Sequence, residues 1–244
     1  MDFEIRNRPA FANLLLRLAR GERVLAESGA MASMSSSINV RSRFSGGFFM
    51  ALLRKLFGGE SLFMNELSTD SGGELVLTQP PPGDMECLEL KGQSLFLQAG
   101  AFIACDATVS LSLGWAGIRS WLAREGLFRL KVSGQGRVWF GGYGGIMTKD
   151  IQGEYVVDSS HLVAYEPSIG WSLGLSGGVA TSLFGGEGLV MRLRGPGRVY
   201  LQTRSIDALA AWVTRVRSGD FAATPSADTC KWCDYAPLCP SRVG

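Results

Sequence analysis

A pattern of glycines, small residues and β-formers occurs three times in this chain, and a tandem repeat constrains the fold more than any local propensity. Gly21-Glu22-Arg23-Val24, Gly92-Gln93-Ser94-Leu95 and Gly153-Glu154-Tyr155-Val156 each open a copy. A small-residue patch follows: Glu27-Ser28-Gly29-Ala30, Gln98-Ala99-Gly100-Ala101 and Asp158-Ser159-Ser160-His161. After an apolar stretch comes a glutamate motif around Glu60, Glu125 and Glu187, spaced 65 and 62 residues apart.

Within each copy the local signals favour strands. Arg192 to Leu201, with Gly195-Pro196-Gly197 at its centre, reads as a hairpin, and Lys131 to Phe140 reads as the same device one copy earlier. Asp70 to Leu77 occupies that place in the first copy. Phe11, Leu14, Leu15 and Leu18 are spaced like a helix face. Yet Leu15 to Leu25 closely matches the third-copy turn, and a repeated unit repeats its fold, so strand–turn–strand is expected there. Three apolar connections, 46–57, 115–122 and 177–184, precede the glutamate motifs and are expected to cap the core or pack between subunits. Ile206, Leu209, Ala210, Val213 and Val216 mark one face of a helix stopped by Gly219. The expected organisation is three β modules over 1–78, 79–145 and 146–205, a helix over 206–219, and a linker with a cysteine-rich tail over 220–244.

Composition narrows the function classes. With 46% hydrophobic residues the chain can bury a full core, while 32 glycines and only 19% charged residues suit short strands and tight turns. The net charge of +2 and the lack of any basic cluster argue against nucleic acid as a partner class. No apolar run approaches the roughly 18 residues of a membrane span. Five cysteines, three of them bunched, fit reduced thiols or a metal site, and so a cytoplasmic setting, better than a disulfide framework.

Glu27-Ser28-Gly29-Ala30-Met31, Gly58 to Phe63, Ala99 to Phe102, Gly186 to Leu189 and Arg194-Gly195-Pro196-Gly197-Arg198-Val199-Tyr200-Leu201-Gln202-Thr203-Arg204 together resemble the altered-inheritance-of-mitochondria (mitochondrial biogenesis) family over roughly residues 1–205. The resemblance implies an all-β chain of three tandem β-sandwich modules in a pseudo-threefold arrangement. Each looks like a subunit of the tryptophan-activated RNA-binding attenuation protein (TRAP). Mitochondrial relatives are linked to inner-membrane organisation, and no catalytic residues are established for the family. A likeness of fold to an RNA-binding ring does not carry RNA binding with it.

The sharpest chemical signal lies near the C-terminus. Cys230, Cys233 and Cys239 form C-x2-C-x5-C, three soft thiolates close enough to share zinc or an iron–sulfur cluster. This short tail also resembles the cysteine tail of RecB-type nucleases, whose acidic motif is not evident here. Cys87, Cys105, His161, Asp234 or a neighbouring subunit are the candidate fourth ligands. Cys105 aligns with Met34 and Tyr165 of the other copies and is expected in the core, which leaves Cys87 the freer thiol. Glu60, Glu125 and Glu187 suit turn hydrogen bonding better than acid–base chemistry, since repetition spreads them apart. His161 has no nucleophile motif beside it. Gly134, Gly136 and Gly141 to Gly145 lack the helix and Lys-Ser/Thr pair of a phosphate loop, so turns are expected. Trp115, Trp121, Trp139, Trp171 and Phe128 have few basic neighbours and are expected to pack rather than stack on bases.

These readings converge on a non-enzymatic, homo-oligomeric scaffold or adaptor, with a trimer of nine modules favoured and a membrane-surface or protein partner expected. The alternatives are a metal- or redox-sensing protein that works through its cysteine tail, and an RNA- or small-ligand-binding ring.

Overall fold

The three copies become three sets of identical strand pairings. The computed structural model describes residues 1–43, 64–98, 100–115, 128–175 and 189–218. The first part holds β1 (Asp2–Arg6), β2 (Asn13–Leu18), β3 (Arg23–Glu27), β4 (Met31–Met34), β5 (Ile38–Arg43), β6 (Met64–Thr69) and β7 (Gly73–Leu77). The middle holds β8 (Met85–Leu97), β9 (Phe102–Asp106), β10 (Val109–Trp115) and β11 (Phe128–Gly141). The last part holds β12 (Ile146–Ile151), β13 (Glu154–Asp158), β14 (Leu162–Tyr165), β15 (Gly170–Leu175), β16 (Leu189–Arg194) and β17 (Gly197–Gln202). The described residues are therefore all-β apart from a short 3-10 turn, Ser159–His161, and a separate helix α1, Ile206–Ser218.

In the first unit β7 pairs with β2 and β4, while β6 pairs with β3 and β5. In the third, β17 pairs with β12 and β14, while β16 pairs with β13 and β15. The middle unit makes the same four ladders with two continuous strands. The second half of β11 pairs with the first half of β8 and with β9, and its first half pairs with the second half of β8 and with β10. Even the irregularity repeats: the register shifts at Met31/Ser33, at Trp139/Phe140 and at Leu162/Ala164.

The expected hairpins are corrected by these ladders. β6 and β7 lie in different sheets, and so do β16 and β17, so their turns carry the chain across the core. In the middle unit the corresponding segment, 131–140, is not a turn. β11 runs straight through, bulged between Ser133 and Gln135, where Gly134 at φ 114° and Gly136 at φ 134° take conformations closed to other residues. A hairpin keeps both strands in one layer, whereas a crossing puts them on opposite sides of one core, which is how a small sandwich buries both faces. The Leu15–Leu25 segment is strand–turn–strand as expected, and it too crosses between sheets.

Among the described residues three apolar cores result. The first gathers Leu14, Leu16, Leu18, Val24, Leu67 and Leu75. The second holds Leu95, Leu97, Phe102, Leu130, Val132 and Phe140, and the third holds Val157, Leu162, Met191, Leu193, Val199 and Leu201. The first two borrow from the unit that follows. Ile103, Ala104 and Trp139 of the middle unit complete the first core, and Val163, Ala164 and Tyr200 of the third unit complete the second.

The units join edge to edge. β3 pairs with β9, and the end of β8 pairs with β14. Register is conserved across both joints. Leu25 faces Cys105 and Ala26 faces Ala104 at the first, while Phe96 faces Tyr165 and Leu97 faces Ala164 at the second. Helix α1 has no buried residue.

Candidate functional site

The row of units is open, and its two ends are the same two edges that make the internal joints. β4 is the last strand of its sheet, and β13 the last strand of its own. By ladder position β4 is the counterpart of β9 and β14, and β13 is the counterpart of β3 and the end of β8. Val156 stands where Leu25 and Phe96 stand, because Tyr155 faces Leu193 as Val24 faces Leu67 and Leu95 faces Val132.

Burial tells the joined and unjoined edges apart. Cys105 and Tyr165 are 0% and 6% exposed at the internal joints, but their counterpart Met34 is 38% exposed and nearby Met31 is 43% exposed. Val156 is 47% exposed at the other end. Ile103, Ala104 and Trp139 are buried in the middle unit, and Val163, Ala164 and Tyr200 in the third. In the first unit the same places hold Ala32 and Ser33, both exposed, and Val76, half-buried. The third core has no following unit to finish it, and the first unit has an outward face with nothing to cover.

Charge at the β13 end is organised as well. Glu154 accepts from Arg192 Nη1 at 2.8 Å and Arg194 Nε at 3.2 Å, and these guanidinium groups hold its carboxyl below the usual range. Behind the second joint lies a cavity the size of one water, lined by Gln98, Arg129, Ser159 and Tyr165 among others. Arg129 is 5% exposed, donates to the Tyr165 hydroxyl at 2.8 Å and lies 4.5 Å from the Trp171 ring centroid. That cation–aromatic contact ties the middle unit to the third.

The residues singled out by sequence fall as follows. Cys230, Cys233 and Cys239, the glutamates 60, 125 and 187, Trp121 and the greater part of the three apolar connections lie outside the described residues. Cys105 is fully buried and Cys87 half-buried, and burial pushes both thiols up to about 12. His161 Nδ1 lies 2.7 Å from the Gln202 carbonyl oxygen, in a backbone-anchoring role. Trp139 is buried against Phe3 at 5.4 Å, and Trp171 is half-buried. Among the described residues no three of His, Cys, Asp and Glu group closely enough to hold a metal ion. No helix among them is long and apolar enough to cross a membrane.

Sequence reasoning did not pick out the two edges. The signal was nonetheless present: aligning Cys105 with Met34 and Tyr165 marks a position that is core in two copies, and Ala32-Ser33 is the small, polar member of that series.

Comparison with known proteins agrees with the repeat's extent. An uncharacterised protein of Streptococcus pyogenes serotype M6 is 26% identical over 224 residues, 88% of this chain and 90% of that one. The X-ray crystal structure of a Streptococcus pyogenes protein superposes with a TM-score of 0.73 at 26% identity, covering 88% of this chain and 99% of that chain. The signature of the family described as mitochondrial biogenesis AIM24 matches residues 3–204. With all three ladder sets inside that match, the chain belongs to the mitochondrial biogenesis AIM24 family.

Proposed function

We propose that this chain is a non-enzymatic scaffold that assembles by joining β13 of one copy to β4 of the next, in the register already used twice inside each copy. The carrying observation is that positions buried (Cys105, Tyr165) or half-buried (Leu25, Phe96) at the internal joints have exposed counterparts, Met34 and Val156, at the two ends. Under that register Val156 faces Met34 and Val157 faces Ser33 of the neighbouring copy. Joining satisfies two rows of edge backbone groups and covers the third core, worth about 1.5–3 kcal/mol for each large apolar side chain removed from water. The contact is head-to-tail, so it closes only as a ring; three TRAP-like units per chain favour a closed trimer of nine.

The test is a charge swap. Met34→Lys and Val156→Lys singly reduce the assembly to monomers by light scattering, because each buries an unpaired ammonium at the joint. Met34→Glu combined with Val156→Lys restores it. Single variants that keep the wild-type mass would sink the proposal.

The spacing of Cys230, Cys233 and Cys239 favours a second reading, metal or redox sensing by the tail. Metal analysis of anaerobically purified protein tests it. Stoichiometric zinc, or iron with a visible absorption band, is expected in the wild type and lost in Cys230→Ser; metal-free wild-type protein would end it.

A further inference from the structure

Besides its paired edges, each internal joint has a second strip, where the outer side of one unit's sheet roofs the core of the unit before it. Trp139, on that outer side in the middle unit, closes the first core and lies 5.4 Å from the Phe3 ring. Arg137 is two residues earlier on β11, hence on the same side, and also lies 5.4 Å from that ring. Its charge is answered across the joint. The Glu22 carboxyl, held below the usual range chiefly by the Met1 ammonium and the Ala19 N–H it accepts, also feels Arg137.

In the third unit the same strip is bare. Lys149 stands where Leu16 and Leu88 stand, since it faces Val199 as Leu16 faces Leu75 and Leu88 faces Val138. Leu16 is fully buried and Leu88 half-buried, whereas Lys149 is exposed. Its Nζ lies 5.0 Å from the Tyr155 ring centroid, and Tyr155 packs on the third core, so the ammonium is on the core side of β12. Beside it Met147, 51% exposed, takes the place of the buried Leu14.

The first unit carries the complementary charge. Glu74 faces Arg17 as Arg137 faces Glu89 and Arg198 faces Asp150, so opposite charges are paired in every unit and their sign is reversed in the first. Leu75 and Leu77 point into the first core, and alternation puts Glu74 and Val76 on the outer side, at the places of Arg137 and Trp139.

We propose that Lys149 of one copy pairs with Glu74 of the next, a charge latch by which the two ends of the chain recognise each other. The latch rests on the edge-to-edge assembly proposed above, whose register lays this outer side over the third core as Trp139 and Arg137 lie over the first. The polarity is that of the first joint turned round. There the roofing unit brings the cation, Arg137, and the roofed unit the anion, Glu22; at the ends the roofing unit brings Glu74 and the roofed unit Lys149. Gly153 stands in the place of Glu22, so the anion of the roofed side is gone as well. Arg17, which holds Glu74 at 3.1 Å, is also 3.6 Å from Asp2, and the joint therefore gathers two anions and two cations.

Dilution series of the full-length protein read by analytical ultracentrifugation test the latch, with Lys149→Glu, Glu74→Lys, the double variant and the edge variant Val156→Lys beside the wild type. Both latch side chains are exposed, and Lys149→Glu leaves the Arg17–Glu74 pair untouched, so folding is retained. In low salt each single latch variant is expected to raise the concentration at which the assembly half-dissociates by about tenfold, because like charges then meet at the joint. The double variant is expected to return it to the wild-type value. In about 1 M salt, where the screening length is ~3 Å, wild type and single latch variants are expected to converge. Single latch variants that dissociate like the wild type in low salt, or a double variant that restores nothing, overturn the latch. Val156→Lys falling to monomer in the same series then leaves the edge assembly standing. Rescue by the double variant beside a Val156→Lys without effect keeps the ion pair and sinks the edge pairing. A wild type that is monomeric throughout overturns both.

Discussion

Asp84 is 4% exposed and holds Arg8 by two hydrogen bonds, Nε to Oδ1 at 2.7 Å and Nη2 to Oδ2 at 3.0 Å. It also accepts the Met85 backbone N–H at 2.9 Å. Asp84→Asn keeps the shape and removes the charge, so Arg8 loses its bidentate carboxylate and keeps Glu86 Oε2 at 3.3 Å. A stability loss of about 2–3 kcal/mol is expected from urea unfolding, limited because Arg8 is partly exposed and rehydrates. The buried thiols give a pH signature. Burial pushes Cys87 and Cys105 up to about 12 from an ordinary value near 9.0, so the unfolded chain ionises first on the alkaline side. Their contribution is intact below pH 9 and drains away as pH rises toward 12. Urea unfolding at pH 8 and pH 10 is expected to show a steeper loss in the wild type than in Cys105→Ala, whose residue 105 cannot ionise. The burial of Cys105 was readable from its place in the repeat. Trp139 was readable as a packing residue, but not its indole N–H, buried without a hydrogen-bond partner among the described residues. That depends on what three other segments bring to the same spot.

Between elements, backbone packs closely where 82–84 meets 142–144. Gly83 bridges Gly144, the Asp84 N–H donates to the Gly144 carbonyl at 2.7 Å, and the Gly144 N–H donates to the Pro82 carbonyl at 3.1 Å. A Cβ on Gly83 would collide with the Gly142 carbonyl oxygen and lie 2.7 Å from the Gly144 nitrogen. Backbone on every side leaves nothing flexible to move, so Gly83→Ala is expected to cost about 3 kcal/mol or more and to lower the thermal midpoint. At this scale the sequence was legible in kind but not in connection. Glycine turns and alternating apolar residues announced strands near 192–201 and 70–77. Whether two such strands pair or cross depends on which layer each one's apolar side chains must cover, and turn chemistry does not record that. The unbroken β11 shows the limit best, since Gly134 and Gly136 look like a turn and act as a bulge within one strand.

At the scale of the whole molecule, the repeat announced equivalent units, and the ladders show how equivalent they are, down to matching register shifts. The joints between units were hidden because, Ala104 and Ala164 apart, the equivalent positions are filled by different side chains in each copy: Leu25, Phe96 and Val156 on one side, Met34, Cys105 and Tyr165 on the other. If copies join by those edges, the thermal midpoint of the wild type rises with protein concentration, while that of Val156→Lys does not. Differential scanning fluorimetry over a hundredfold dilution reads this directly, and a wild-type midpoint that ignores dilution contradicts the joining. Because the two sides of the joint sit at opposite ends of one polypeptide, a copy spoiled at β13 still offers a sound β4. In a ring built by that joining, such a copy mixed with intact chains would be a terminator, accepting one neighbour and refusing the other, so a minority would be enough to keep the circle from closing.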